Sequence, residues 1–184
     1  MNPHNRDDVW QLVCEYTQTD YLRKHMLAVE AAMRWYARKF GEDENLWGNL
    51  GLVHDFAFEK FPEQHPQKDG ELLRALGWPD DLVRVVWAHG DALNLPRTRL
   101  VEKTLYAVDE LTGLVIAVAR VRPSKKLADV DVVAVQKKWK DKAFARGVNR
   151  ADIERGAQEL GVPLAEHIGN VIAALNPIAP TLGV

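Results

Sequence analysis

At 184 residues, 47% hydrophobic and 27% charged, the chain has the composition of a soluble globular domain and enough length for a sizeable core. A formal net charge of -2 argues against a surface for duplex nucleic acid, and the longest apolar run, 114–119, is too short to span a membrane. The single cysteine, Cys14, excludes an internal disulfide and a thiolate-rich zinc site; it fits a reducing, cytoplasmic setting and reads as a core filler.

Helical periodicity dominates in chain order, and the pattern predicts an all-α domain of seven to nine helices. Residues 7–16 form a short amphipathic helix, and the polar segment before it shows no signal peptide. Thr19 and Asp20 cap a long helix running to Phe40, with Gly41 as its stop; Leu22, Met26, Val29, Met33 and Tyr36 form its apolar stripe. His25 borders that stripe. Asp43 or Glu44 opens the next helix, whose apolar residues lead into His54-Asp55. A loop with Pro62, His65 and Pro66 follows, then short helices over 70–76 and 79–89. Thr98 is expected to cap a second long helix carrying Leu105, Asp109, Leu111 and Val115. The stretch 125–150 is rich in Lys and Arg, helices are predicted over 150–160 and 163–175, and the tail 177–184 reads as frayed. One domain over 1–184 is expected, with its core in 20–120 and a basic helical part in 121–176.

The chemistry concentrates on His54-Asp55, which ends an apolar run containing Leu46, Trp47, Leu50, Leu52 and Val53. Burying a carboxylate costs several kcal/mol or more unless something pairs with it. Neighbouring helical residues diverge by about 100°, so both side chains can reach one point, where a divalent cation would satisfy them. His25, His65, His89 and Asp109 also lie at apolar borders, helix ends or loops. Imidazole and carboxylate without thiolate suit Fe, Mn, Co, Ni or Zn. Each residue taken alone also reads as an ordinary core or loop residue.

The order His25, His54-Asp55, Asp109 resembles the H…HD…D signature of the HD-domain superfamily of metal-dependent phosphohydrolases. His65-Pro66 followed by Gly70, and Trp87-Ala88-His89, resemble the two extra histidines of branches that hold two metals. The run from Ala107 to Gly113 is similar to the segment around the last aspartate in a group of predicted HD hydrolases. The resemblance covers about residues 20–120 and, more loosely, the C-terminal third. It implies an HD-like helical bundle in which His25, His54, Asp55 and Asp109 hold one metal ion. Asp55 would bridge to a second, held also by His65 and His89, and water activated between the cations would attack phosphorus. The chain departs from the cyclic-dinucleotide branch, because Phe56-Ala57-Phe58 follows the pair and no Gly-Tyr-Pro motif is present.

The expected activity is hydrolysis of a small phosphorylated compound, nucleotides included. The alternatives are a mixed-valent diiron oxygenase of the same superfamily and a non-catalytic metal-containing ligand-binding module. Phosphoryl chemistry needs cations for non-bridging oxygens. Lys125, Lys126, Arg146 and Arg150 are the candidates for substrate binding, the two lysines also for catalysis, beside loop breaks within a stretch that includes Lys142. Glu59, four residues after Asp55, is a candidate for orienting water.

Overall fold

The computed structural model describes residues 1–141 and 143–184, and its described residues are helices joined by turns. The helices are α1 (Arg6–Tyr16), α2 (Asp20–Phe40), α3 (Glu44–Val53), α4 (Gln67–Ala75), α5 (Asp80–Ala88), α6 (Leu100–Arg120), α7 (Val132–Trp139), α8 (Arg150–Leu160) and α9 (Leu164–Leu175), followed by the single turn α10 (Ala179–Leu182). The fold is all-α, with nine helices of eight residues or more among the described residues. None is long and apolar enough to cross a membrane.

The two long helices form the frame. α2 packs on α3 and α6, and α6 packs in turn on α8, α9 and α5. Of the predicted stripe of α2, Met26, Val29, Met33 and Tyr36 are wholly buried and Leu22 is half-buried; Leu105, Val108, Leu111 and Val115 of α6 are wholly buried. Close contact between α2 and α3 depends on Gly51: a Cβ there would lie 2.9 Å from Met33 Cγ and 3.0 Å from the Val29 carbonyl. This approach sets the end of α3 against the flank of α2. Gly41 closes α2 with φ +73°, the left-handed conformation that glycine adopts most readily.

Three local expectations change. α4 begins at Gln67, three residues early, because Pro66 sits ahead of the first turn, where a missing N–H costs nothing. α6 is capped from inside: the Glu102 carboxylate accepts from the backbone N–H groups of Thr98 (2.9 Å) and Arg99 (3.0 Å), so Thr98 receives the cap instead of supplying it. The tail is folded rather than frayed, because Leu182 of α10 is wholly buried against the core and α10 lies on α2.

Candidate metal centre

Six side chains from five places in the chain converge. His25 comes from α2, His54 from the cap position of α3, Asp55 from the turn after it, His65 from the loop before α4, His89 from the cap position of α5 and Asp109 from the middle of α6. They form two groups of three that could hold a metal ion, His25–His54–Asp109 and Asp55–His65–His89. Asp55 joins the two. Its Oδ2 lies 3.3 Å from His54 Nε2 and 3.6 Å from His25 Nε2, while its Oδ1 lies 3.3 Å from His89 Nε2 and 3.4 Å from His65 Nε2. Asp109 Oδ1 lies 3.0 Å from His25 Nε2 and 3.4 Å from His54 Nε2.

The histidines are oriented from behind. His54 Nδ1–H donates to the Gly51 carbonyl at 2.7 Å and His89 Nδ1–H to the Val86 carbonyl at 2.5 Å, each a carbonyl in the last turn of its own helix. His65 Nδ1–H donates to Asp69 Oδ2 at 2.9 Å, and the other Asp69 oxygen accepts from the Ala57 N–H at 2.9 Å. A proton held on Nδ1 leaves a lone pair on Nε2, and all three Nε2 atoms point inward.

Comparison with protein-family models, curated proteins and solved structures finds no match to this chain. The geometry itself tests whether a cation fits. His54 Nε2 lies 3.3 Å from His25 Nε2, and His89 Nε2 faces His65 Nε2 at 3.2 Å, where with both protons on Nδ1 two lone pairs are opposed unless a positive charge lies beside them. Asp55 Oδ1 is buried and makes no hydrogen bond among the described residues. The electrostatics of the cluster point the same way. Burial alone would lower His54, yet the Asp55 and Asp109 carboxylates outweigh it and hold the ring well above its ordinary range. Burial alone would raise Asp55 and Asp109; His54 holds both down, helped by His89 at the first and His25 at the second. The protein therefore stabilises positive charge between these groups. The donor set fits divalent cations, and Asp69 supplies the outer support that ligating histidines usually carry.

The centre lines a cavity of about 520 Å³, with Tyr21, Phe58 and Glu110 among its other walls. A smaller opening, about 180 Å³, lies on the His65–His89 side and is edged by Asp91, Tyr106, Glu110 and Asp152. Burial, then the neighbouring Asp109 charge, pushes the Glu110 carboxyl up to about 7.

The residues proposed from sequence outside this cluster lie elsewhere. Glu59 does not line the cavity; its carboxylate accepts from the N–H groups of Gln18 (2.8 Å) and Thr19 (3.0 Å) at the start of α2, where free donors and the helix dipole favour a negative charge. Lys125 and Lys126 are exposed and absent from its walls, in the turn after α6 where their long side chains stay hydrated. Arg146 is also exposed, although Ala145 and Gly147 on either side of it do reach the cavity. Arg150 is occupied, donating to the carbonyls of Trp139 (3.0 Å), Asp141 (3.2 Å), Phe144 (2.7 Å) and Val148 (3.4 Å) and so tying the segment before α8. Lys142 lies outside the described residues.

Sequence reasoning missed Asp69 and Glu110. Asp69 stands four residues after His65, the spacing at which side chains meet across one turn, and Glu110 directly follows Asp109. Arg155 was missed too. It donates to Asp91, Asp152 and Tyr106, three residues that edge the smaller opening, and nothing in its local pattern marks it.

Proposed function

We propose that this chain is a metal-dependent phosphohydrolase acting on a small phosphorylated compound, built on the HD-type plan that its histidine and aspartate order resembles. The observation that carries the reading is Asp55, which offers one oxygen to each of two histidine-containing triads. Two divalent cations held there would supply Lewis acidity and a water acidic enough to lose its proton near neutral pH. Against their charge of about +4 stand the carboxylates of Asp55 and Asp109, leaving a surplus of about +2 for an anionic substrate.

The chain's own residues divide the remaining work. His25, His54 and Asp109 would hold one cation, and His65, His89 and Asp55 the other, with the second Asp55 oxygen turned toward the first group. The backbone carbonyls of Gly51 and Val86 and the carboxylate of Asp69 keep lone pairs on the inward nitrogens. Glu110, on the cavity wall next to Asp109, is the carboxyl that would hold or release a proton during turnover. Phe58, edge-on to the His65 ring at 5.3 Å, covers one side of the centre.

The test is phosphate release from phosphomonoesters and phosphodiesters by protein loaded with Mn, Co, Ni, Fe or Zn, with Asp55→Asn as the control. Release that follows metal content and disappears in the variant is expected. Absence of release from every ester by protein shown to contain two metal ions would overturn the proposal, as would oxygen consumption by the iron form in its place.

A further inference from the structure

A second cavity, about 270 Å³, opens off the metal centre between α2 and α6. Its walls include Ile116, Val121, Phe144 and Leu182, and it meets the central cavity at Tyr21, His25, Gly113 and Ala117, which line both. The two cavities are therefore neighbours, and an apolar group attached to one bound at the centre would have the second, an apolar gallery, beside it. For scale, an apolar cavity of about 150 Å³ accepts benzene.

Gly113 stands at the junction, in the middle of α6. Glycine inside a helix costs about 1 kcal/mol relative to alanine, and where a neighbour crowds the helix that cost has a steric reason. None applies at this position: a Cβ on Gly113 would meet nothing within 4 Å. What the missing side chain provides is open space between the centre and the gallery.

Charge narrows the occupant further. Among the described residues the central cavity is walled by the carboxylates Asp55, Asp109 and Glu110 and by no Lys or Arg. A polyphosphate would find no side-chain counter-ion there, whereas the surplus that two divalent cations would leave over Asp55 and Asp109, about +2 and smaller where Glu110 is ionised, is no more than one phosphate dianion balances. The gallery has two cations at its edge, Lys24 and Arg120, and Lys24 is paired with Asp20 at 2.8 Å.

We propose, resting on the phosphohydrolase reading, that the substrate is the phosphate monoester of an apolar alcohol, about the size of naphthol, whose organic half lies in the gallery past Gly113. Water cleaves the ester at phosphorus: a P–O bond forms to water, the P–O bond to the alcohol breaks, and the alcohol leaves with a proton as inorganic phosphate is released.

The experiment compares methyl, phenyl and 1-naphthyl phosphate on the metal-loaded protein and on Gly113→Leu, with Ala117→Leu as an independent plug. KM is expected to fall along the series by at least about tenfold. Either plug should raise the KM for the naphthyl ester relative to that for methyl phosphate by about tenfold, with metal content unchanged. Binding of 1-naphthol to the metal-free protein, followed by calorimetry, reads the gallery without turnover and should be lost in both variants. Hydrolysis with equal KM across the series, or naphthol binding indifferent to both plugs, would overturn the inference and leave the hydrolase reading intact. No hydrolysis of any ester, with naphthol bound and displaced by the plugs, would overturn the hydrolase reading and leave the gallery as a ligand site.

Discussion

Replacing Asp69 by Asn separates the two halves of the centre. The Asp69 carboxylate is almost fully buried and makes two hydrogen bonds of 2.9 Å, accepting from His65 Nδ1–H and from the Ala57 N–H. An asparagine that keeps its oxygen on Ala57 turns its NH2 toward His65. Two donors cannot face each other, so the ring must move its proton to Nε2 and withdraw the lone pair aimed at Asp55. The opposite amide orientation would leave the Ala57 N–H buried without a partner, at a cost of about 1–3 kcal/mol, so the first arrangement is favoured. Loss of such outer support typically lowers metal affinity about 10- to 100-fold, or roughly 1.4–2.7 kcal/mol. Calorimetric titration with Mn or Zn, checked by metal analysis after dialysis, should show this loss at the His65–His89 position. The His25–His54–Asp109 position should change by less than about threefold, since it shares no hydrogen bond with Asp69. Equal weakening of both positions, or of neither, would refute the reasoning that Asp69 acts through the His65 tautomer.

The metal-free protein should be most stable from mildly acidic to neutral pH. His54, held above its ordinary value of 6.5, contributes stability that is complete below that pH and lost as pH rises through its folded value. Asp55 and Asp109, held below 3.8, contribute stability above that pH, lost as pH falls through theirs. A cation displaces the His54 proton, so metal binding should release protons in a pH-stat and tighten as pH rises; no release at pH 7 would contradict the charge balance drawn for the centre. Glu59→Gln should lower Tm, because the negative cap at the start of α2 is lost, while metal content and turnover stay at wild-type levels; lost turnover would return Glu59 to the chemistry. Arg150→Met removes four hydrogen bonds to carbonyls and should expose residues 143–149 to limited proteolysis, with no KM change as large as the loss of a substrate-binding cation would cause. Glu110→Gln should remove a group whose raised affinity for protons costs stability above about pH 7, so the variant should gain Tm relative to wild type at pH 8.

Much of this architecture is written in one dimension. The apolar stripes of α2 and α6, the glycine stop at Gly41 and the run into His54-Asp55 follow local rules, because helix periodicity and capping depend on residues within one turn of each other. The histidines and aspartates were candidates because most of them stand at the edge of an apolar stripe or at a helix end, and it was the resemblance of their order to a known signature that joined the six into one set. What lies beyond local rules is which oxygen faces which ring. Asp55 divides its two oxygens between triads only because Gly51 lets α3 close on α2. Glu59 and Arg150, candidates from sequence for orienting water and for binding substrate, are directed by packing to a helix end and to loop carbonyls. The folded chain also decided the space beside Gly113, since an empty volume is bounded by α2, α6, Phe144 and α10 together, and no segment of the sequence contains it.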